Sequence, residues 1–289
     1  MQLLNSISIL LSQHFNVDIE IFSHQNIGGG SINTALKIET NVGDYFVKAN
    51  SVSLYPDMFE KEASGLQMLK ETQKVSVPDV VTFGNIEEHT ILVLELMESG
   101  NEKANFWDLF ANNLASLHKT TNTKFGLDHD NYIGSLSQMN AWRDTWSDFF
   151  RDNRLDVQLK LARDSAKVEI GLVKSFERFY KSMDDIFPKE PASLIHGDLW
   201  GGNFMIGKQG TPYLIDPAIY FGNREMDLGM TKLFGGFSSE FYLSYQKYFP
   251  MEKGWEQRLE YCNLYPLLVH VNLFGNSYLS SVKSIISKF

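Results

Sequence analysis

The chain has 289 residues, 43% of them hydrophobic and 13% aromatic. That is enough apolar mass for one large domain or two modest ones and excludes disorder as a whole-chain description. Its 26 Lys and Arg face 35 Asp and Glu, a formal net charge of −9, the wrong sign for a protein that binds nucleic acid by counterion release. A single cysteine, Cys262, excludes an intramolecular disulfide and any multi-cysteine zinc site.

The acidity is uneven. Residues 1–98 hold 5 basic and 13 acidic residues, net −8, whereas residues 99–289 hold 21 and 22, net −1. Two units are expected, with the division near residue 98. No apolar run reaches the ~18 residues of a membrane span, and the start of the chain lacks a basic n-region and a small-residue cleavage site. A soluble, cytoplasmic protein is expected, with no nucleic-acid or membrane partner and a monomeric state.

Leu3, Leu4, Ile7, Leu10 and Leu11 follow helical spacing. Residues 17–22 alternate apolar and polar, as a half-buried strand does. Gly28-Gly29-Gly30-Ser31 follows, and residues 34–38 and 45–49 read as two more strands joined by the turn sequence Asn41-Val42-Gly43-Asp44. Residues 57–72 form an amphipathic helix pattern. Strands are expected near 80–83 and 91–95. Beyond Glu98, residues 104–119, 140–163, 165–186, 227–234, 238–248 and 255–285 read mainly as helix. The exception is the loop-rich stretch 194–219. A β-rich first unit followed by a helical second unit is an α+β, two-lobed organisation.

The densest polar cluster is His196-Gly197-Asp198-Leu199-Trp200-Gly201-Gly202-Asn203. Asp198 and Asn203 are separated by a glycine-bearing loop, and Asp216 ends the apolar run Tyr213-Leu214-Ile215. One carboxylate can accept a hydroxyl proton, while an amide oxygen and a second carboxylate can hold Mg²⁺, a hard cation that prefers oxygen ligands. This spacing is the one that phosphoryl-transfer enzymes of the protein-kinase type use. Taken singly, each of these residues would read as a turn residue.

Such a site needs a glycine loop, a strand lysine and a helix glutamate from the first unit. Gly28, Gly29, Gly30 and Ser31 are small enough for backbone N–H groups to approach phosphate oxygens. Lys48 lies in the third strand, and Glu62 follows on the helix, with Glu60 as a competing acid. Lys48 would hold the α- and β-phosphates, oriented by Glu62. Residues 91–97, including Glu95 and Met97, have the position of a hinge whose backbone reads the adenine edge. Seven histidines show no HExxH spacing, and no G-x-S-x-G elbow is present. Trp142, Trp146, Phe149 and Phe150 read as packing residues. The charges from Arg143 to Asp156, Arg154 among them, read as a solvated helix face.

The motifs His196–Asn203 and Asp216–Phe237, with GGGSIN (28–33), YFVKAN (45–50) and FEKEASGLQML (59–69), resemble the fructosamine kinase family, the ketosamine-3-kinases related to aminoglycoside and choline kinases. The similarity spans nearly the whole chain. It implies a bilobal, protein-kinase-like fold and ATP- and Mg²⁺-dependent phosphorylation of the sugar 3-hydroxyl of a ketosamine, free or carried on glycated lysine of a protein. It implies Asp198 as the catalytic residue, Asn203 and Asp216 as metal ligands, Glu62 as the partner of Lys48, Trp200 as a substrate platform, and His196 and Asp227 as supports of the catalytic loop. Many family members carry Cys where this chain has Ser31. Kinases of other hydroxylated amines, and a non-catalytic nucleotide-binding protein, are the alternatives.

Overall fold

The computed structural model describes residues 2–28 and 33–289. The chain divides into two compact units: residues up to Phe106 together with Met205–Asp216, and Trp107–Phe204 together with Pro217–Phe289. The first unit therefore takes in the segment 205–216, which chain order alone assigns to the second.

In the first unit, helix α1 (Gln2–Phe15) precedes strands β1 (Ile21–Asn26), β2 (Thr34–Thr40) and β3 (Gly43–Ser51). Helix α2 (Met58–Glu71) and strands β4 (Val80–Ile86) and β5 (His89–Glu95) follow. The sheet is antiparallel, in the order β1-β2-β3-β5-β4. Successive strand side chains point to opposite faces. Leu36, Ile38, Val47, Ala49, Ile91 and Val93 therefore share one face, and pack with Ile7, Leu10 and Leu11 of α1 in one apolar cluster. The same alternation sends Lys48, between Val47 and Ala49, to the face where it meets Glu62 of α2.

The strand expected over residues 17–22 is displaced. The structure starts β1 at Ile21, because the backbone just before it is held by side chains. Ser8 Oγ of α1 donates to the Ile19 carbonyl at 2.6 Å, and Ser12 Oγ accepts from the Ile19 N–H at 3.0 Å. Asn41 then takes the next links, donating to the Asp18 carbonyl and accepting from the Glu20 N–H. Residues 17–20 are thus stapled to α1 and to the β2–β3 turn instead of joining the ladder.

The second unit is mainly helical, opening with helix α3 (Phe106–His118), whose first residue closes the first unit. Its sheet content is short. Thr121–Asn122, Ala192–Ile195 and Tyr220–Gly222 form one three-stranded sheet, and Asn131–Ile133 pairs with Leu136–Gln138. None of the strands outside residues 192–219 is visible in the apolar pattern. The helix expected over 140–163 begins only at Trp146, capped by Thr145, whose Oγ1 accepts from the Asp148 N–H. Residues 140–145 are drawn away by other partners. Asn140 receives the Leu127 N–H and gives its own N–H to Asp130, while Phe125 and Arg143 exchange backbone bonds.

Within that helix, Phe150–Leu155 is π-helical, a distortion that recurs near functional sites. Arg154 departs from the expected solvated face and is wholly buried. Its guanidinium stacks 3.9 Å from the Tyr220 ring centroid and donates to the Asn140 side chain and to the carbonyls of Met139 and Asn153. Trp146 stacks on Phe150 in the core, and Cys262 is buried and free. No helix among the described residues is long and apolar enough to cross a membrane.

Candidate active site

Two polar clusters carry most of the residues singled out by sequence, one in each unit. In the first, Lys48 Nζ donates to Glu62 Oε1 at 2.7 Å and to Asp216 Oδ1 at 2.6 Å. Lys48 is only 6% exposed. Burial alone would push its pKa down, but the two facing carboxylates outweigh burial and hold it above the ordinary lysine value. A buried ammonium fixed between two acids is a positioned positive charge, available to an anion that approaches from outside the pair. Glu60, the competing acid, is exposed on α2.

Asp216 adopts φ +55°, a left-handed conformation uncommon for residues other than glycine and one that costs of order 1–3 kcal/mol. One of its oxygens is bonded to Lys48, and its side chain is 45% exposed. Gly28 is exposed, with no heavy atom within 4 Å of where a Cβ would lie. Gly29, Gly30 and Ser31 fall outside the described residues. Glu95 ends β5; its N–H is bonded to the Asp79 carbonyl and its carboxylate accepts the Asp79 N–H. Met97 is half-buried just outside the strand.

In the second cluster the loop after strand Ala192–Ile195 turns back at Gly197, at φ +83°. A Cβ there would lie 2.0 Å from the Ala218 carbonyl oxygen, so only glycine fits. The same approach lets the Ala218 N–H donate to the His196 carbonyl. The loop is anchored from below by Asp227, which is fully buried. Asp227 Oδ2 accepts the His196 N–H at 2.8 Å, and Oδ1 accepts the Gly197 N–H at 2.9 Å. Burial opposes the Asp227 charge, but the hydrogen bond and charge of His118, the charge of His196 and the Gly197 N–H hold its pKa below the usual carboxylate value.

Asp198 is held by Asn203, whose Nδ2 donates to the Asp198 carbonyl at 2.8 Å and to Oδ2 at 3.0 Å. The Asp198 N–H points to His196 Nδ1 at 3.3 Å. The amide nitrogen of Asn203 is therefore committed, which turns its oxygen into the group that can meet a cation. An amide oxygen and a carboxylate oxygen suit Mg²⁺, which takes one or two protein oxygens alongside substrate phosphates and water. No cluster of three or more His, Cys, Asp or Glu suited to a metal occurs among the described residues. Trp200 is 39% exposed, and its ring lies over Gly202, where a Cβ would meet it at 2.3 Å.

Sequence reasoning missed several residues. His118, the last residue of α3, bridges Asp227 at 3.1 Å and the Tyr245 hydroxyl at 2.7 Å, wholly buried. It sits where the apolar stripe of α3 would place another hydrophobe, and a histidine on that stripe is the one available signal. Tyr265 and His270 line a pocket beside Asp198. They occur in a helix so uniformly apolar that its polar members look incidental.

The sequence model of the family described as fructosamine kinase matches residues 3–289. A probable ketoamine kinase of Enterococcus faecium is 40% identical over 263 residues, covering 90% of this chain and 93% of that one. A chloroplastic protein-ribulosamine 3-kinase of Arabidopsis thaliana is 38% identical, covering 91% and 81%. Among solved structures, one described as a fructosamine-3-kinase from Haemophilus somnus 129PT is 31% identical with a TM-score of 0.89, covering 99% and 97%. A thermostable mutant of the aminoglycoside phosphotransferase APH(4)-Ia, at 12% identity and a TM-score of 0.62 over 97% and 98% of the chains, shares the kinase-like fold.

Proposed function

The chain belongs to the fructosamine kinase family, and from that premise we propose that it transfers the γ-phosphoryl group of ATP to the sugar 3-hydroxyl of ketosamines. Its substrates are the adducts that glucose or ribose leaves on amines, free or on the lysines of proteins. The observation that carries the reading is the buried Lys48 ammonium bonded to both Glu62 and Asp216. A lysine held in this way places a fixed positive charge where phosphate oxygens can meet it, as the phosphate-binding lysine of a kinase does.

In this reading Lys48 Nζ balances charge on the phosphates, and Glu62 keeps it aimed. The Asp198 carboxylate accepts the proton of the 3-hydroxyl, and Asn203 Nδ2 fixes the orientation of that carboxylate. Asp227 and His118 hold the His196–Asp198 backbone so that Asp198 does not have to be ordered during the reaction. The chain thereby works by positioning and by placed charge, with no covalent intermediate. Asn203 and Asp216 would hold Mg²⁺, which when bound supplies charge neutralisation for the transferring group. A cytoplasmic monomer is the state we assign to it.

The experiment is a panel of fructosyl-lysine, ribulosyl-lysine, choline and an aminoglycoside, scored by ADP release, with the phosphorylated carbon located by NMR. Turnover of either ketosamine with phosphate on C3 is expected. Turnover of choline or the aminoglycoside alone would place the chain among kinases of other hydroxylated amines. No ADP release with any of them, despite ATP binding, would make it a non-catalytic nucleotide binder.

A further inference from the structure

The short hairpin that pairs Asn131–Ile133 with Leu136–Gln138 lies outside the chemistry assigned so far, yet both of its end residues are buried amides. Gly134, at φ +58°, makes the turn, and the register that results sets Asn131 directly opposite Gln138. Residues opposite each other in an antiparallel pair share one face. The two amides accordingly join, Gln138 Nε2 donating to Asn131 Oδ1 at 2.8 Å. Together they grip the backbone of Ala218 and Ile219. Gln138 Nε2 gives its second hydrogen to the Ala218 carbonyl at 3.0 Å, and Asn131 Nδ2 donates to the Ile219 carbonyl at 2.9 Å. A carbonyl only accepts, so the atom of Gln138 turned to Ala218 is the amide nitrogen. The Tyr265 hydroxyl fills the other side, donating to Gln138 Oε1 at 2.8 Å.

Gln138, 1% exposed, thus has both amide hydrogens and its oxygen engaged. The chain that carries it is secured by the buried Arg154, whose guanidinium donates to the Met139 carbonyl and the Asn140 side chain, the two residues after Gln138. Ala218 is the contact through which this network reaches Asp198. Its N–H donates to the His196 carbonyl at 2.9 Å, and its carbonyl oxygen lies against Gly197, where a Cβ would come within 2.0 Å of it. Asp227 holds the N–H groups of His196 and Gly197. Ala218 holds the same turn through the His196 carbonyl, and Asp198 is the next residue along the chain.

We propose that Gln138 is a positioning residue for phosphoryl transfer, fixing the Ala218 carbonyl and through it the turn from which the Asp198 carboxylate projects. This deepens the kinase reading and rests on it. A buried amide network with every member bonded is rigid, and removing one member loosens the rest. Displacing a reacting group by about 1 Å can slow a reaction ~100-fold. A side chain this buried meets neither substrate, so its effect belongs in kcat.

The test uses the full chain with Mg-ATP and the better ketosamine of the panel. Gln138→Met keeps the length of the side chain and removes its three bonds. It is expected to lower kcat ~10- to 100-fold and to leave the KM of both substrates within about threefold of wild type. Hydrogen exchange should quicken at the Gly197 and Ala218 N–H groups and stay unchanged in strands β2 to β5. Combining Gln138→Met with Tyr265→Phe removes the hydroxyl that the single variant strands without an acceptor. The double variant should therefore melt above Gln138→Met, with kcat as low as before. Tyr265→Phe alone, which frees only Gln138 Oε1, is the milder variant should Gln138→Met not fold, and it should cut kcat ~3- to 10-fold at unchanged KM. A folded variant with kcat within about twofold of wild type overturns the proposal, as does a loss carried by KM. So does a kcat that recovers with the melting temperature in the double variant, which is the result a merely structural role gives. Wild-type protein that phosphorylates no ketosamine defeats the parent reading instead, and exchange at Gly197 and Ala218 then still decides whether Gln138 holds the turn.

Discussion

Asp227→Asn isolates the anchor beneath the catalytic loop. The wild-type carboxylate accepts three buried N–H groups: His196 and His118 on Oδ2, at 2.8 and 3.1 Å, and Gly197 on Oδ1 at 2.9 Å. Asparagine preserves the shape but can place its carbonyl oxygen on one side only. If the oxygen takes the Oδ2 position, the amide NH₂ faces the Gly197 N–H, donor against donor. One buried N–H then goes unsatisfied at about 1–3 kcal/mol, and the two surviving bonds lose their charge assistance at about 1 kcal/mol each. The total is about 3–5 kcal/mol, or a fall of about 5–8 °C in melting temperature for a chain of this size. The Gly197 backbone would shift, and displacement of the adjacent Asp198 should cut kcat at least ~10-fold while the KM for ATP changes little. Thermal unfolding and steady-state kinetics read both effects. The pH dependence follows from the depressed pKa of Asp227. Its contribution is present above the unfolded value of about 3.9 and is lost as pH falls through the lower folded value. The stability gap between wild type and Asp227→Asn should therefore narrow below about pH 4. A variant melting within ~1 °C of wild type at pH 7, or a gap that widens in acid, would refute the anchor.

Asp198→Ala should lower kcat by ~10³-fold or more and leave ATP binding, measured by calorimetry, nearly intact; retained turnover removes Asp198 from the chemistry. Lys48→Met leaves the Glu62 carboxylate buried without its partner, a loss of about 3–5 kcal/mol. Adding Glu62→Gln should restore much of the melting temperature and none of the ADP release, and recovered activity in that double variant would refute the phosphate role of Lys48. Gly197→Ala forces a Cβ to within 2.0 Å of the Ala218 oxygen at φ +83°, so it should express poorly or melt far below wild type. Wild-type stability in that variant would show that the segment can move aside.

Much of this was legible in the sequence because it rests on local rules. Strands β2 and β3 alternate, Asn41-Val42 makes their turn, and Lys48 follows from its place between two core residues. What stayed hidden depends on contacts distant in sequence. Nothing local says that Ser8 and Ser12 will capture Ile19 and delay β1. Arg154 lies among alternating charges and reads as exposed, yet Tyr220, Asn140 and two backbone carbonyls, some of them more than a dozen residues away, bury it. His118 and Asp227 are separated by 109 positions, and their pairing exists only once α3 packs under the loop. Gly197 was visible as part of the motif His196–Asn203. Its physical reason was not: residue 197 must clear the Ala218 carbonyl.

The charge asymmetry of the chain takes on a different meaning beside these clusters. Five basic residues stand against thirteen acidic ones in residues 1–98, so bulk field cannot attract a polyanion to that unit. Of those five, Lys37 and Lys70 pair with surface acids, and Lys48 is the buried one. Phosphate binding must then come from a positioned donor, whose strength depends on desolvation and geometry and survives added salt better than a surface field would.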